Sequence, residues 1–212
     1  MTLPVCALFD IGIGNLHSAE KAFARMAEGR HRIAVTADPE VVARAERVVL
    51  PGDGAFPAVR RALAAVPGLE EAVRGAVAAG RPLFGICLGM QLLATRGHEF
   101  ETCDGLGLIA GEVVRIAPAD PRLKVPHMGW NDLVVTGAHP VMAGVATGDH
   151  AYFVHSWQFR VADPADRLAH VDYGGEVTAI VAKGTVVATQ FHPEKSQATG
   201  LRIIANFLAW RP

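Results

Sequence analysis

Five consecutive residues, Gly85-Ile86-Cys87-Leu88-Gly89, carry the densest chemical signal in the chain. The apolar run before them, 82–86, reads as a strand, and the pattern over 90–96 reads as a helix. At a sharp strand-to-helix turn the central residue is strained and its side chain is lifted clear of the sheet; G-x-C-x-G is the cysteine form of that elbow. Glycines on either side let neighbouring backbone pass without a Cβ clash. The helix N-terminus favours thiolate at Cys87, and the Leu88 N–H is free to face an oxyanion. Taken alone, the five residues equally describe a buried, inert cysteine. The strand before and the helix after turn the reading toward a nucleophile. Cys6, inside the first strand, and Cys103, in the Glu101-Thr102-Cys103-Asp104-Gly105 loop, lack that setting and read as structural.

A thiolate nucleophile needs a base, and the base needs a group to orient it. Of nine histidines, His192 is placed best, in Thr189-Gln190-Phe191-His192-Pro193-Glu194 at the end of an apolar strand. Residues i and i+2 of an extended segment share a face, so Glu194 reaches the imidazole. Pro193 ends the ladder and leaves the pair at an open edge. His98 beside Glu99 is weaker, because adjacent side chains diverge, and His155 has no nearby carboxylate. A second corner, Leu50-Pro51-Gly52-Asp53-Gly54-Ala55, offers backbone N–H groups as further oxyanion donors. Asp10-Ile11-Gly12-Ile13-Gly14-Asn15 has the look of a phosphate loop. It lacks the third glycine, since His17 stands there, and no Walker lysine follows, so it reads as a close-packed turn.

The elements that must position these groups alternate in the first half. Strands are expected over 5–10, 32–36, 47–52 and 82–86, and helices over 15–28, 55–65, 69–79 and 90–96. Strands that are apolar throughout, separated by helices, imply a parallel sheet covered on both faces. The second half is richer in strands (108–116, 132–135, 152–161, 176–182 and 185–191), some of them antiparallel with tight connections such as Ala182-Lys183-Gly184. A last helix follows Ser196, a candidate N-cap, with Leu201, Ile204 and Leu208 on one face. No linker or repeat interrupts the chain, so 1–212 reads as one α/β domain with a central mixed, mostly parallel sheet flanked by helices.

Composition excludes several classes. With 20 basic and 21 acidic residues among 212, the net charge of −1 gives no footprint for nucleic acid or a membrane surface. No apolar run reaches membrane-spanning length, and the N-terminus lacks a secretory pattern. Three cysteines without metal-like spacing suit a reducing, cytoplasmic compartment.

The segments PGDGAF, GICLGMQLL and TQFHPEKS, in this order, resemble the class I (triad-type) glutamine amidotransferases, and the resemblance covers nearly the whole chain. It implies a flavodoxin-like core and a triad of Cys87, His192 and Glu194. It also implies oxyanion and glutamine-holding roles for Gly52, Asp53, Leu88, Gln91, His155, Ser156 and Trp157. No metal or organic cofactor is implied. FDIGIGNLHS, VPHMGWN and YFVHSW narrow the likeness to the branch that works with a barrel-shaped cyclase chain. That pair makes imidazole glycerol phosphate and AICAR in histidine biosynthesis. The branch implies a heterodimer, and Asn15, Met128, Trp130 and Lys195 are the candidate contacts. For Met128 and Trp130 ordinary core packing is the competing reading. Asp53 stands where many relatives are expected to carry an apolar residue, and Trp157 where Tyr is common. The triad alone also fits a glutaminase of another amidotransferase, or a thiol γ-glutamyl hydrolase or peptidase.

Overall fold

The computed structural model describes residues 3–10, 12 and 16–212. The first half runs β1 (Val5–Phe9), α1 (Leu16–Ala27), β2 (Arg32–Thr36), α2 (Pro39–Arg44), β3 (Arg47–Gly52), α3 (Phe56–Ala64), α4 (Leu69–Ala78), β4 (Leu83–Cys87) and α5 (Leu88–Gln91). The second half adds β5 (Arg96–Gly97), β6 (Cys103–Asp104), β7 (Gly111–Arg115), β8 (His127–Asp132), β9 (Val134–Val135), β10 (His150–His155), β11 (Trp157–Val161), β12 (Arg167–Asp172), β13 (Glu176–Lys183), β14 (Val186–Thr189) and α6 (Gln197–Ala209).

Eight strands form the main sheet in the order β2-β1-β3-β4-β14-β13-β12-β9. The first four pairings are parallel, and the last three, from β14 outward, are antiparallel. The sheet is thus mixed, with its parallel half built by the helix-alternating sequence. Alternation explains why its strands are apolar throughout. Cys6, Leu8, Phe84 and Ile86 face α1 and α6, where the Phe84 and Phe207 rings stack at 5.0 Å between centroids. Ala7, Phe9, Val48, Leu50 and Leu83 face the other way, against Val42, Val59, Leu63 and Val73 of α2, α3 and α4. Both faces are dry, so both sets of side chains are apolar.

Four local expectations change. The helix expected over 90–96 is the single turn α5, beginning at Leu88, and Arg96 already belongs to β5. The strand expected over 152–161 breaks at Ser156: β10 pairs with β8, whereas β11 pairs with β7 in another sheet. Ser196 precedes α6 without capping it through its side chain. Its hydroxyl instead donates to the His192 carbonyl at 2.7 Å and accepts the Tyr152 N–H at 3.0 Å, clamping the turn after β14 to β10. The tight β13–β14 connection is made by Gly184, at φ +57°, and Thr185. Asn15 lies outside the described residues.

Candidate active site

The carboxyl ends of three adjacent parallel strands meet at one point. β4 ends at Cys87; β3 lies on one side with Gly52 in register with Cys87, and β14 on the other with Thr189 in register with Ile86. The residues that follow β3 and β14 therefore flank the sulfur, in the crevice where open α/β sheets bind their ligands.

Cys87 has φ 54° and ψ −110°, a conformation disfavoured for any residue with a Cβ. The turn is held by close backbone contact. A Cβ on Gly89 would lie 1.7 Å from the Leu50 carbonyl oxygen, and one on Gly85 would lie 2.9 Å from the Gly89 carbonyl oxygen. Gly52 is constrained similarly, its missing Cβ falling 2.8 Å from the Gly89 nitrogen. It does not line the pocket; Asp53 and Gly54 do. Because α5 is one turn long, its aligned dipole is short, and the direct asset of the elbow is the Leu88 N–H, which has no residue i−4 in the helix to bond.

His192 is buried, and its imidazole lies near enough to Cys87 for the thiol to raise its pKa. The chain here is a 3-10 turn over Pro193–Lys195 rather than an extended segment, and His192 Nδ1 nevertheless lies 2.9 Å from Glu194 Oε1. Burial is the largest influence on His192 and lowers its pKa. The Cys87 thiol and the Glu194 carboxylate together outweigh it and bring the value up to about 10. The imidazolium form is therefore favoured at neutral pH, held between two anion-forming groups.

A pocket of about 210 Å3 opens over the sulfur, lined by Asp53, Leu88, Gln91 and Glu99 and by the segment Val154–Trp157. Gln91 spends both amide hydrogens on the protein, donating to the Trp157 carbonyl at 2.9 Å and to Gln190 Oε1 at 3.0 Å. Gln190 in turn directs its amide nitrogen at Cys87 Sγ across 3.8 Å. Asp53 is exposed, and its Oδ1 accepts the Gly54 N–H at 2.8 Å, so the carboxylate occupies one donor of the glycine corner. Two residues enter that the sequence reading did not assign here. Gln190 lay in the TQFHPE segment, one register step past Ile86, and alternation along β14 turns it toward the sulfur. Glu99 accepts the Phe56 N–H at 2.8 Å and reaches the pocket mouth only through the fold. His98, by contrast, bonds Thr102 and Glu112 at the surface, away from Cys87.

The other cysteines are chemically quiet. Burial pushes the Cys6 thiol up to about 12 and also raises Cys103. Met128 and Trp130 are not core residues: they are 62 % and 48 % exposed on the outer side of β8, and Lys195 is exposed as well. Among the described residues no cluster of His, Cys, Asp and Glu could hold a metal ion, and no helix is long and apolar enough to cross a membrane.

Comparison with known proteins matches residues 8–210 to the family described as Glutamine amidotransferase class-I. A protein of Cereibacter sphaeroides named "Imidazole glycerol phosphate synthase subunit HisH" is 65 % identical over 208 residues, covering 97 % of this chain and 98 % of that one. The chain belongs to the HisH family of class I glutamine amidotransferases. A second HisH protein, from Ruegeria pomeroyi, is 61 % identical and aligns over 97 % of this chain and 99 % of its own. The fold is shared more widely than the sequence. A solved glutamine amidotransferase structure superposes with a TM-score of 0.72 at 22 % identity, covering 97 % of this HisH-family chain and 99 % of that one. PurLQS from Thermotoga maritima gives 0.70 at 18 % identity and 98 % of each chain.

Proposed function

We propose that this chain is the glutaminase subunit of an imidazole glycerol phosphate synthase, with Cys87 as nucleophile and His192 and Glu194 completing the triad. The observation that carries the residue assignment is the carboxylate-backed His192 within reach of a strained Cys87 at the mouth of a pocket. The proton that Cys87 gives up already rests on His192 as the imidazolium, which Glu194 holds. The sulfur attacks the side-chain amide carbon of glutamine, and the new oxyanion faces the Leu88 N–H and the Asp53–Gly54 corner. His192 then gives its proton to the departing ammonia. Water, deprotonated by the now neutral imidazole, hydrolyses the γ-glutamyl thioester and frees the thiol. The Glu99 carboxylate at the pocket rim complements the α-ammonium group of glutamine.

Ammonia is largely protonated in neutral water and escapes by diffusion, so its consumer must be docked. The partner is the cyclase chain of the synthase, which completes the heterodimer that makes imidazole glycerol phosphate in histidine biosynthesis. Met128 and Trp130, exposed and apolar, and the exposed Lys195 suit that contact, with Asn15 a further candidate. A reducing cytoplasm keeps the free thiols usable. Acid quenching during turnover with glutamine tests the chemistry: a glutamyl adduct belongs on the peptide that carries Cys87. An adduct found only elsewhere refutes the assignment.

A further inference from the structure

Behind the glutamine pocket runs a hydrogen-bonded chain of side chains, buried at its two histidines, that the steps above do not use. His127 of β8 and His155 of β10 face each other across an antiparallel pair, with His127 Nδ1 3.1 Å from His155 Nε2. Each link has a single direction. His155 Nδ1 lies 2.7 Å from the Trp157 carbonyl oxygen, which only accepts, so the proton is on Nδ1. Burial brings both imidazoles down, His155 to about 3 and His127 to about 4, so both are neutral at pH 7. His155 Nε2 is then a lone pair and His127 Nδ1 its donor. His127 Nε2 is left to accept, and takes an amide hydrogen of Asn131 at 3.2 Å. The other amide hydrogen of Asn131 goes to the Asp172 carbonyl at 3.0 Å.

The chain ends on a carbonyl that matters. Trp157 O accepts from Gln91 as well as from His155, so it sets where Gln91 stands in the pocket. His127 is enclosed by the rings of Tyr173 and Phe153, at 4.1 and 4.8 Å between centroids. Packing alone would be met by a third apolar ring, and a buried imidazole costs stability unless both nitrogens are satisfied.

We infer that His127 and Asn131 are positioning residues of the glutamine site, which fix the tautomer of His155 and, through it, the Trp157 carbonyl that holds Gln91. This rests on the reading of the pocket as a glutaminase site. Without a donor at position 127, His155 Nε2 is left buried and unpaired. The alternative tautomer, which would let that nitrogen donate, aims the Nδ1 lone pair at the Trp157 oxygen. Either way the strand segment that lines the pocket shifts. Neither His127 nor Asn131 touches the sulfur, so the effect falls on glutamine affinity and spares the thiol.

The test compares His127→Phe, His127→Gln, His155→Gln and the His127→Phe/His155→Gln double variant with wild type, each bound to its cyclase partner. KM and kcat for glutamine are measured beside the rate at which iodoacetamide, which needs no glutamine pocket, alkylates Cys87. His127→Phe is expected to raise KM roughly tenfold, the cost of one buried unpaired donor or acceptor, while alkylation stays at the wild-type rate. His127→Gln, which retains a donor and an acceptor, recovers most of the loss. In the His155→Gln background His127→Phe adds nothing, because it acts through His155. An unchanged KM in His127→Phe, an equal further loss in the double variant, or a matching fall in alkylation overturns the inference. Where Cys87→Ala is inactive, those results overturn this inference alone; glutamine hydrolysis at the wild-type rate by Cys87→Ala would overturn the underlying reading with it.

Discussion

Gly52 stands directly across the parallel ladder from Cys87. That pairing joins two glycine-rich corners, far apart in sequence, into one wall of a site. The side chain that Gly52 lacks would strike the Gly89 nitrogen at 2.8 Å, so the two corners are as close as backbone allows. β14 closes the other side, with Gln190 directed at the sulfur and His192 following two residues later.

The strain at Cys87 has a measurable cost. A positive φ with ψ near −110° is the mirror image of an extended conformation, open to glycine and unfavourable by about 1–3 kcal/mol for residues with a Cβ. Cys87→Gly is therefore expected to melt higher than Cys87→Ala, by roughly 2–4 °C for each kcal/mol released. Thermal unfolding of the two variants side by side checks this. A lower melting temperature for the glycine variant would mean the elbow is not strained.

Thiol chemistry separates the three cysteines. Cys6 is fully buried with its thiol at about 12, and Cys103 is raised by burial too. Iodoacetamide at neutral pH is expected to modify Cys87 first, at least tenfold faster than either of the others. Peptide mapping after partial alkylation reads this directly; equal labelling of Cys103 would count against a singled-out nucleophile.

Asp53 ties up the Gly54 N–H, and under the proposed mechanism its carboxylate lies beside the developing oxyanion. Replacing it with alanine frees that donor and removes the repulsion. The expected gain in partner-free glutamine hydrolysis is roughly tenfold, a fraction of the hundred- to thousandfold that one oxyanion donor supplies. Steady-state ammonia release by Asp53→Ala without the cyclase is the measurement. A slower variant would show that the carboxylate helps the corner rather than holding it back.

The buried histidines give stability a maximum near neutral pH. An imidazole in the unfolded chain titrates at its ordinary value of 6.5, whereas His192 in the folded state stays protonated up to about 10. Its contribution is complete below 6.5 and is lost as pH rises toward 10. His127 and His155 work in the opposite sense. Their folded values of about 4 and 3 mean that below 6.5 the unfolded chain takes up protons the folded one refuses, so stability falls as pH drops. Melting temperature against pH is expected to peak close to pH 6.5, with a shallower acid limb in His127→Phe. A flat profile between pH 4.5 and 9 contradicts both assignments.

Much of this was legible in the residues themselves. Strand periodicity located β1, β3 and β4, because strands dry on both faces leave an unbroken apolar run. The elbow could be read because only glycine fits at 85 and 89, and the His-Pro-Glu spacing survived a change from extended chain to 3-10 turn. The helix after Cys87 is shorter than its sequence pattern: Met90, Leu92 and Leu93 have helical spacing, yet the chain turns off after Gln91 to start another sheet. The break at Ser156 was invisible because His155 and Trp157 continue the strand pattern while pairing with different partners. The short helix α2 carries its own local signal: Asp38 before Pro39 and Glu40 is an N-cap, with Asp38 Oδ1 accepting the Glu40 N–H at 2.8 Å. Glu99 had no local signal. Its place at the pocket comes from a tertiary bond to Phe56 N, 43 residues away.

Under the proposed mechanism glutamine is hydrolysed through the Cys87 thiol. Its most direct test is the release of glutamate and ammonia from glutamine by wild type and Cys87→Ala, each saturated with the cyclase partner. A loss of at least a thousandfold is expected in the alanine variant, whose binding to the cyclase is unchanged. Glutamine hydrolysis by Cys87→Ala within tenfold of wild type would contradict it.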